Sequence, residues 1–340
     1  EGTISNQGET LPFKKGDSFF LEAGSGAYTV EGKCDALVTT IRKKAAPVRI
    51  GIDIGGTMTK IGLVDIHQKL IAKKSIETKA WRAPKEVIEE IAKTTLALLE
   101  EEEIAMDQCV GVGVGVPGTV DSKTGVVLYS NNIKWENVEL AKEIGTYLPV
   151  PVSIANDADC AALGEAVAGA GKGYQDVVVL TLGTGVGGGI ILDGKIYEGK
   201  GIGGSELGHM VIVENGEPCT CGRKGCLEAY ASATALKRDA QRATGKEFEP
   251  KEIFEAAKAG DSALKEVVDN YIRRLGTGVV NIVNIFRPQL FVLGGGVAEQ
   301  GEELLVPLRK MVEEGCFGGT KGELPEMEVA ALGNEAGIIG

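Results

Sequence analysis

The chain has 340 residues, 43% of them apolar, enough to bury a large core and fill two domains. Its net charge is −12, from 36 basic and 48 acidic residues, and no basic cluster stands out, which argues against nucleic acid or an anionic membrane as the main partner. The apolar stretches are broken by glycine or charge well short of a membrane span, and no leading signal segment is visible. The seven cysteines suit a reducing, cytoplasmic setting. The chain begins at Glu1 without a methionine, which points to sequence upstream.

In chain order, residues 18–21, 27–30 and 36–41 read as short strands between glycine turns, and Arg42-Lys-Lys44 with Pro47 reads as a linker. Residues 1–47 thus read as a β-rich extension too short to stand alone, which must pack on something, stay partly mobile or be the tail of a larger domain. From Val48 the pattern is strand, glycine turn, strand: an apolar run to Asp53, the turn Gly55-Gly56-Thr57, then residues 60–64. A third strand at 70–77 completes a meander, and Pro84 opens a helix whose Ile88, Ile91, Ala92, Thr95 and Leu99 share one face. Residues 109–116 form a near-continuous apolar strand, as in a sheet covered on both faces; 152–155 is another strand, and 158–170 an alanine-rich helix.

The pattern then repeats. Residues 176–182 read as a strand, 183–189 as a glycine turn and 190–192 as a returning strand, with Asp193-Gly194 a hairpin turn. Helices are expected at 227–242, 251–259 and 262–286, a strand at 290–293 before Gly294-Gly295-Gly296, and a last helix to about residue 314. Two copies of strand, glycine loop and strand, each followed by crossover helices, point to two similar α/β lobes facing each other.

Residues 206–228 carry a denser signal. His209, Cys219, Cys221 and Cys226 make a complete set for tetrahedral zinc, with Gly222 and Gly225 allowing a tight turn. Disulfides or scattered buried thiols are the plainer alternatives. Four protein ligands saturate the metal, so its role is structural rather than the activation of water.

The glycine loops favour phosphates. Gly183-Thr184-Gly185-Val-Gly-Gly188 matches the dinucleotide string, but a strand follows it where a helix is required, and no P-loop motif of the Gly-Lys-Ser/Thr type occurs. What survives is a pair of strand–turn–strand loops whose amides cradle phosphates, with Thr57 and Thr184 as hydroxyl donors. Lys60 would add charge unless it is simply exposed. Asp53, at the end of a buried strand, is a candidate for pairing or for the metal of a magnesium nucleotide. Asp157 opens a helix after a strand, a position used both by active-site carboxylates and by plain helix caps.

Asp53-Ile-Gly-Gly-Thr57, Val116-Pro-Gly118, Asn156-Asp157, Leu182-Gly-Thr-Gly185, Glu206-x-x-His209, the cysteine cluster and Leu293-Gly-Gly-Gly296 occur in the order seen in the ROK family of sugar kinases. The resemblance covers residues 48–340. It implies two ribonuclease-H-like lobes of the actin and hexokinase type with a cleft between them: a small lobe at 48–155, completed by 333–340, and a large lobe at 156–332 holding the zinc element at 209–226. It further implies that Asp157 is the general base and that Gly118, Asn132, Asn156, Glu206, His209 and Glu228 bind sugar. Gly55, Gly56, Thr57, Gly183, Thr184 and Gly185 would line the phosphates of ATP, with Gly295 and Gly296 at the adenosine. His209 is expected to bind zinc through one ring nitrogen and to face a sugar hydroxyl with the other.

Residues 13–21 and 26–34 resemble the final strands of a cupin-type mannose-6-phosphate isomerase. This strip has no histidine and is assigned no activity. Together the resemblances imply a magnesium- and ATP-dependent hexose kinase, a glucokinase first, with mannose, fructose or an N-acetylhexosamine as alternative substrates. Homodimers or homotetramers are usual in the family. A sugar-sensing repressor with the same body is the third reading, and an actin-like ATPase the fourth. Relatives usually continue past the final Ala336-Gly-Ile-Ile-Gly340 into a last helix.

Overall fold

The computed structural model describes residues 1–6, 9–19, 27–33, 46–201 and 205–340. The chain divides into two compact units, Glu1–Ala45 and Ala46–Gly340.

In the first unit β1 (Gly2–Asn6), β2 (Glu9–Phe13) and β3 (Thr29–Gly32) form an antiparallel sheet of order β2-β1-β3. Ile4 is buried, while β2 and β3 are largely exposed. The expected strand at 27–30 overlaps β3, but residues 18 and 19 carry no strand; 20–21, 36–41 and the basic linker 42–44 lie outside the described residues. β2, which had no reading in the sequence, carries Pro12, tolerated there because β2 is an edge strand.

The second unit is built on one topology used twice. Its first sheet begins with the meander β4 (Val48–Ile54), β5 (Met58–Asp65) and β6 (Leu70–Glu77). Helix α1 (Pro84–Glu101) leads to β7 (Cys109–Val116), parallel to β4. A small antiparallel sheet of β8 (Thr119–Asp121), β9 (Val126–Ser130) and β10 (Trp135–Val138) follows, then α2 (Leu140–Tyr147), then β11 (Val152–Asn156), parallel to β7. After α3 (Asp157–Ala168) the scheme restarts with the meander β12 (Val177–Leu182), β13 (Val186–Leu192) and β14 (Lys195–Ile196). Helices α4 (Glu228–Ala231), α5 (Ala233–Thr244), α6 (Pro250–Lys258) and α7 (Ser262–Phe286) precede β15 (Leu290–Gly294). Last come α8 (Glu302–Gly315), β16 (Glu326–Val329) and α9 (Ala336–Ile339). The sheet orders, β11-β7-β4-β5-β6 and β16-β15-β12-β13-β14, are the same pattern of two parallel strands added beside the first strand of a meander. This is the ribonuclease-H-like lobe, present in duplicate as the actin and hexokinase architecture requires.

Burial follows the pattern expected of covered sheets. Ile50, Ile52, Ile54, Val112 and Val114 sit in one core under α1 and α2, while β12 and β15 put Val178, Leu180, Phe291 and Leu293 against α7 and α8. Two expected elements differ. The helix at 227–242 is broken at Ser232, whose backbone is extended and whose hydroxyl accepts from Ala235 N at 3.0 Å to cap α5. The glycine turn at 183–189 is also shorter than expected, because β13 already begins at Val186. The remaining glycines serve packing: a Cβ at Gly189 would lie 2.3 Å from Ala162 Cβ, and one at Gly187 3.0 Å from Ala158 Cβ. They let α3 lie directly on β13. The small sheet β8–β10, α2 and β16 had no reading in the sequence.

Candidate active site

A cleft of about 840 Å³ opens at the carboxyl ends of β4, β7, β11 and β12, a volume suited to small ligands. Its walls bring together Asp53, Lys60, Gly118, Asn132, Asn156, Asp157, Gly183, Gly185, Glu206, His209, Glu228 and Gly295, twelve of the residues singled out from the sequence. Gly55, Gly56, Thr57, Thr184 and Gly296 are not on its surface. Gly55 N instead donates to Met58 O at 2.9 Å, holding the β4–β5 turn. Gly56 lies beside Asn132, and Thr184 O accepts from Thr234 Oγ1 at 2.7 Å. The first four shape the two turns, whose flanking residues Asp53, Lys60, Gly183 and Gly185 line the cleft, and Gly296 follows Gly295, which also lines it.

Asp157 is the first residue of α3. The cap is Asn156: its Oδ1 accepts from Ala158 N at 2.8 Å, and its Nδ2 donates to Gly118 O at 3.0 Å. The capping alternative for Asp157 therefore loses most of its force, although Asp157 Oδ1 also accepts from Ala158 N at 3.0 Å. Burial, with the Asp53 charge second, pushes the Asp157 carboxyl up to about 6. Asp53 itself is bound by Lys60 Nζ at 3.2 Å, and that amine also donates to Asn334 O at 3.3 Å. Lys60 is thus committed rather than free in solvent.

The metal set is assembled. The ligand atoms of His209, Cys219, Cys221 and Cys226 all lie within 4.8 Å of one another. Cys221 and Cys226 sulfurs are 3.7 Å apart, and Cys219 Sγ is 3.6 Å from His209 Nδ1. Tetrahedral bonds of about 2.3 Å to sulfur and about 2.0 Å to nitrogen give edges of those lengths, so the donors fit zinc. The three cysteines are free of disulfides. Gly225 makes the turn possible: its φ is +82°, and a Cβ there would meet Val213 O at 1.7 Å. With Nδ1 turned to the thiolates, His209 Nε2 faces the cleft, 4.0 Å from Glu206 Oε2. Glu228 joins two loops, its Oε1 accepting from Thr220 Oγ1 at 2.7 Å and its Oε2 from Val186 N at 3.1 Å.

Sequence reasoning missed Tyr129, Asn131 and Asp159, which also line the cleft. The first two come from the unread β9 and its turn. The adjacent Asn131-Asn132, typical turn residues after an apolar run, was the available signal. Among the described residues no helix is long and apolar enough to cross a membrane.

Residues 49–340 match the ROK family, and residues 1–41 match the cupin domain of mannose-6-phosphate isomerase. The chain belongs to the ROK family. It is 36% identical to the glucokinase of Thermotoga maritima over 306 residues, 86% of this chain and 95% of that protein. It also resembles the crystal structure of a ROK family glucokinase from Streptomyces griseus in complex with glucose and AMPPNP, with TM-score 0.73, 34% identity and coverage of 86% of this chain and 97% of that one. A xylose repressor of Bacillus subtilis is 28% identical over 342 residues, covering 100% of this chain and 86% of that protein.

Proposed function

We propose that this protein is an ATP-dependent hexose kinase, a glucokinase by preference, moving the γ-phosphoryl group to the sugar 6-hydroxyl. The observation that carries this reading is the position of Asp157, half-buried at the junction of β11 and α3, in the cleft that the Asp53–Lys60 and Glu206–His209 pairs also line and within reach of the Asp53 and Glu206 charges. Phosphoryl transfer needs positioning and charge balance more than covalent help from the protein. Asp157 takes the hydroxyl proton as the sugar oxygen bonds to the γ-phosphorus and the bond to the leaving ADP oxygen breaks. Gly118, Asn132, Asn156, Glu206, His209 and Glu228 hold the sugar, their carboxylates and amides pairing with vicinal hydroxyls. The turns Gly55–Thr57 and Gly183–Gly185 would receive the phosphates through the amides that the turn hydrogen bonds of Gly55 and Gly183 leave over, and Gly295–Gly296 the adenosine.

Asp53, Asp157, Asp159, Glu206 and Glu228 line the cleft, whereas Lys60 is the one lysine or arginine among the described residues that does. A polyanionic nucleotide would be repelled there, so Mg²⁺ is needed for charge neutralisation, with Asp53 as the residue placed to hold it. Zinc supplies a fixed anchor for the His209 ring, whose Nε2 then meets the sugar in one orientation.

The cupin match favours mannose among the alternative hexoses, and the full-length alignment with a xylose repressor favours a sugar-sensing role as the second reading. ADP release with glucose, mannose, fructose and N-acetylmannosamine decides. Fastest turnover with glucose is expected; faster turnover with another sugar reassigns the substrate, and sugar binding without ADP release establishes the sensor.

A further inference from the structure

Beside the main cleft lies a second, much smaller chamber of about 10 Å³, room for one sphere of water size. Its polar walls are Ser122, Asn156, Asp159 and Glu198, and Val120 and Ala155 close it. Ser122 N donates to Gly201 O at 3.3 Å, so the β8–β9 loop and the segment after β14 meet across it. Asp159 is only 5% exposed, and its Oδ1 has no hydrogen-bond partner among the described residues. A buried carboxylate in that position demands a positive charge or a proton. Among the described residues no lysine or arginine pairs with it: Lys123 Nζ donates instead to Lys200 O at 3.4 Å. Burial first, then the charges of Glu198, Glu206 and Asp157, push the Asp159 carboxyl up to about 7. The charged groups that raise it are all carboxylates, and the one ammonium beside Gly201, that of Lys123, is turned to a backbone carbonyl.

We infer that this chamber is a binding site for a single, largely dehydrated metal cation held by Asp159, Glu198 and Ser122. The donors are all oxygen, which selects hard cations over zinc or copper. Size selects further. Mg²⁺ keeps several of its waters and needs more room than one sphere, whereas K⁺ and Ca²⁺ exchange water for protein oxygens. The occupant is therefore of the K⁺ or Ca²⁺ kind and distinct from the magnesium of a nucleotide. It would tie the β8–β9 loop to residues 198–201, and its charge, two residues beyond Asp157 on the first turn of α3, would favour the ionised form of that carboxylate. The site does not depend on which sugar is phosphorylated.

The test is thermal unfolding of the intact, zinc-loaded chain without nucleotide, at a pH above 7. KCl and CaCl2 are titrated separately against tetramethylammonium chloride at matched ionic strength. A rise in Tm of about 2–4 °C is expected when either cation reaches about ten times its Kd, and Asp159→Asn should abolish it. Equal melting in all three salts, or the same rise in the variant, overturns the inference. Thallium(I)-soaked crystals of the wild type provide a readout independent of the variant's folding. An anomalous peak between Asp159 and Glu198 supports the site, and its absence both there and in crystals soaked in a lanthanide, the Ca²⁺ mimic, overturns it.

Discussion

Asp157 illustrates how environment sets the use of a side chain. An aspartate after a strand and before a helix is ordinarily a cap, but Asn156 performs that function here. Asp157→Asn should lower kcat/KM by roughly 10²–10⁴-fold while ADP binding by calorimetry stays within a factor of about two. Turnover near wild type would remove Asp157 from the role of base. Its raised value of about 6 also has a definite pH consequence. The base works ionised, so kcat/KM should be flat at neutral pH and fall about tenfold per unit below pH 6. For stability the sign is opposite to that of a salt-bridged aspartate. The folded-state value lies above the ordinary 3.8, so ionising Asp157 above about pH 6 works against folding, and protonation relieves that penalty.

The metal loop and the glycine turn are coupled through Glu228, which holds Thr220 on one side and Val186 on the other. Cys219→Ser should therefore release the metal, measured by atomic absorption, and raise KM for the sugar by about tenfold or more, because His209 loses its fixed orientation. Unchanged sugar affinity in metal-free protein would refute the clamp. In the absence of metal, burial pushes the Cys219 thiol up to about 12. Binding must displace that proton, so zinc affinity should rise with pH in competition with a chromogenic chelator. The proposed roles of the turn glycines are carried by the backbone, and a strand–turn–strand supplies the amides only if the turn is tight. That is the arrangement seen at Gly183, whose N–H donates to Gly185 O at 3.0 Å.

Across the whole second unit, α3 and α9 bind the two sheets together. Glu165 on α3 is 1% exposed, and its carboxylate accepts from three backbone amides, Ala170, Ala331 and Leu332, at 2.8–3.0 Å. This fastens the segment between β16 and α9. Glu165→Ala leaves those donors without partners and should destabilise the chain by roughly 3 kcal/mol or more, read as a lowered urea midpoint. A midpoint within error of wild type would show that water satisfies the amides instead. Gly51 has the complementary role on β4: a Cβ there would meet Ile338 O at 1.9 Å, so α9 docks only because the strand carries no side chain at that point.

Much of this was legible before any coordinates. Strand β7 and helix α7 fell at their expected bounds because each depends on a local, strongly periodic or continuous apolar pattern. The metal ligands were legible for the same reason, since close spacing brings them together whatever the rest of the chain does. Motifs on distant strands pointed to one cleft through family resemblance, but their geometry did not follow from spacing.

The amino-acid sequence by itself determined the duplicated strand–glycine-turn–strand scheme and the set of four candidate metal donors, because these rest on neighbours along the chain. Only the tertiary structure decided that Asn156 rather than Asp157 caps α3, that Gly189 packs against α3, and that Asp159 is buried with Oδ1 unpartnered among the described residues. Each of those depends on what a distant segment places opposite the residue, and burial and charge acquire values only when both sides of a contact are present.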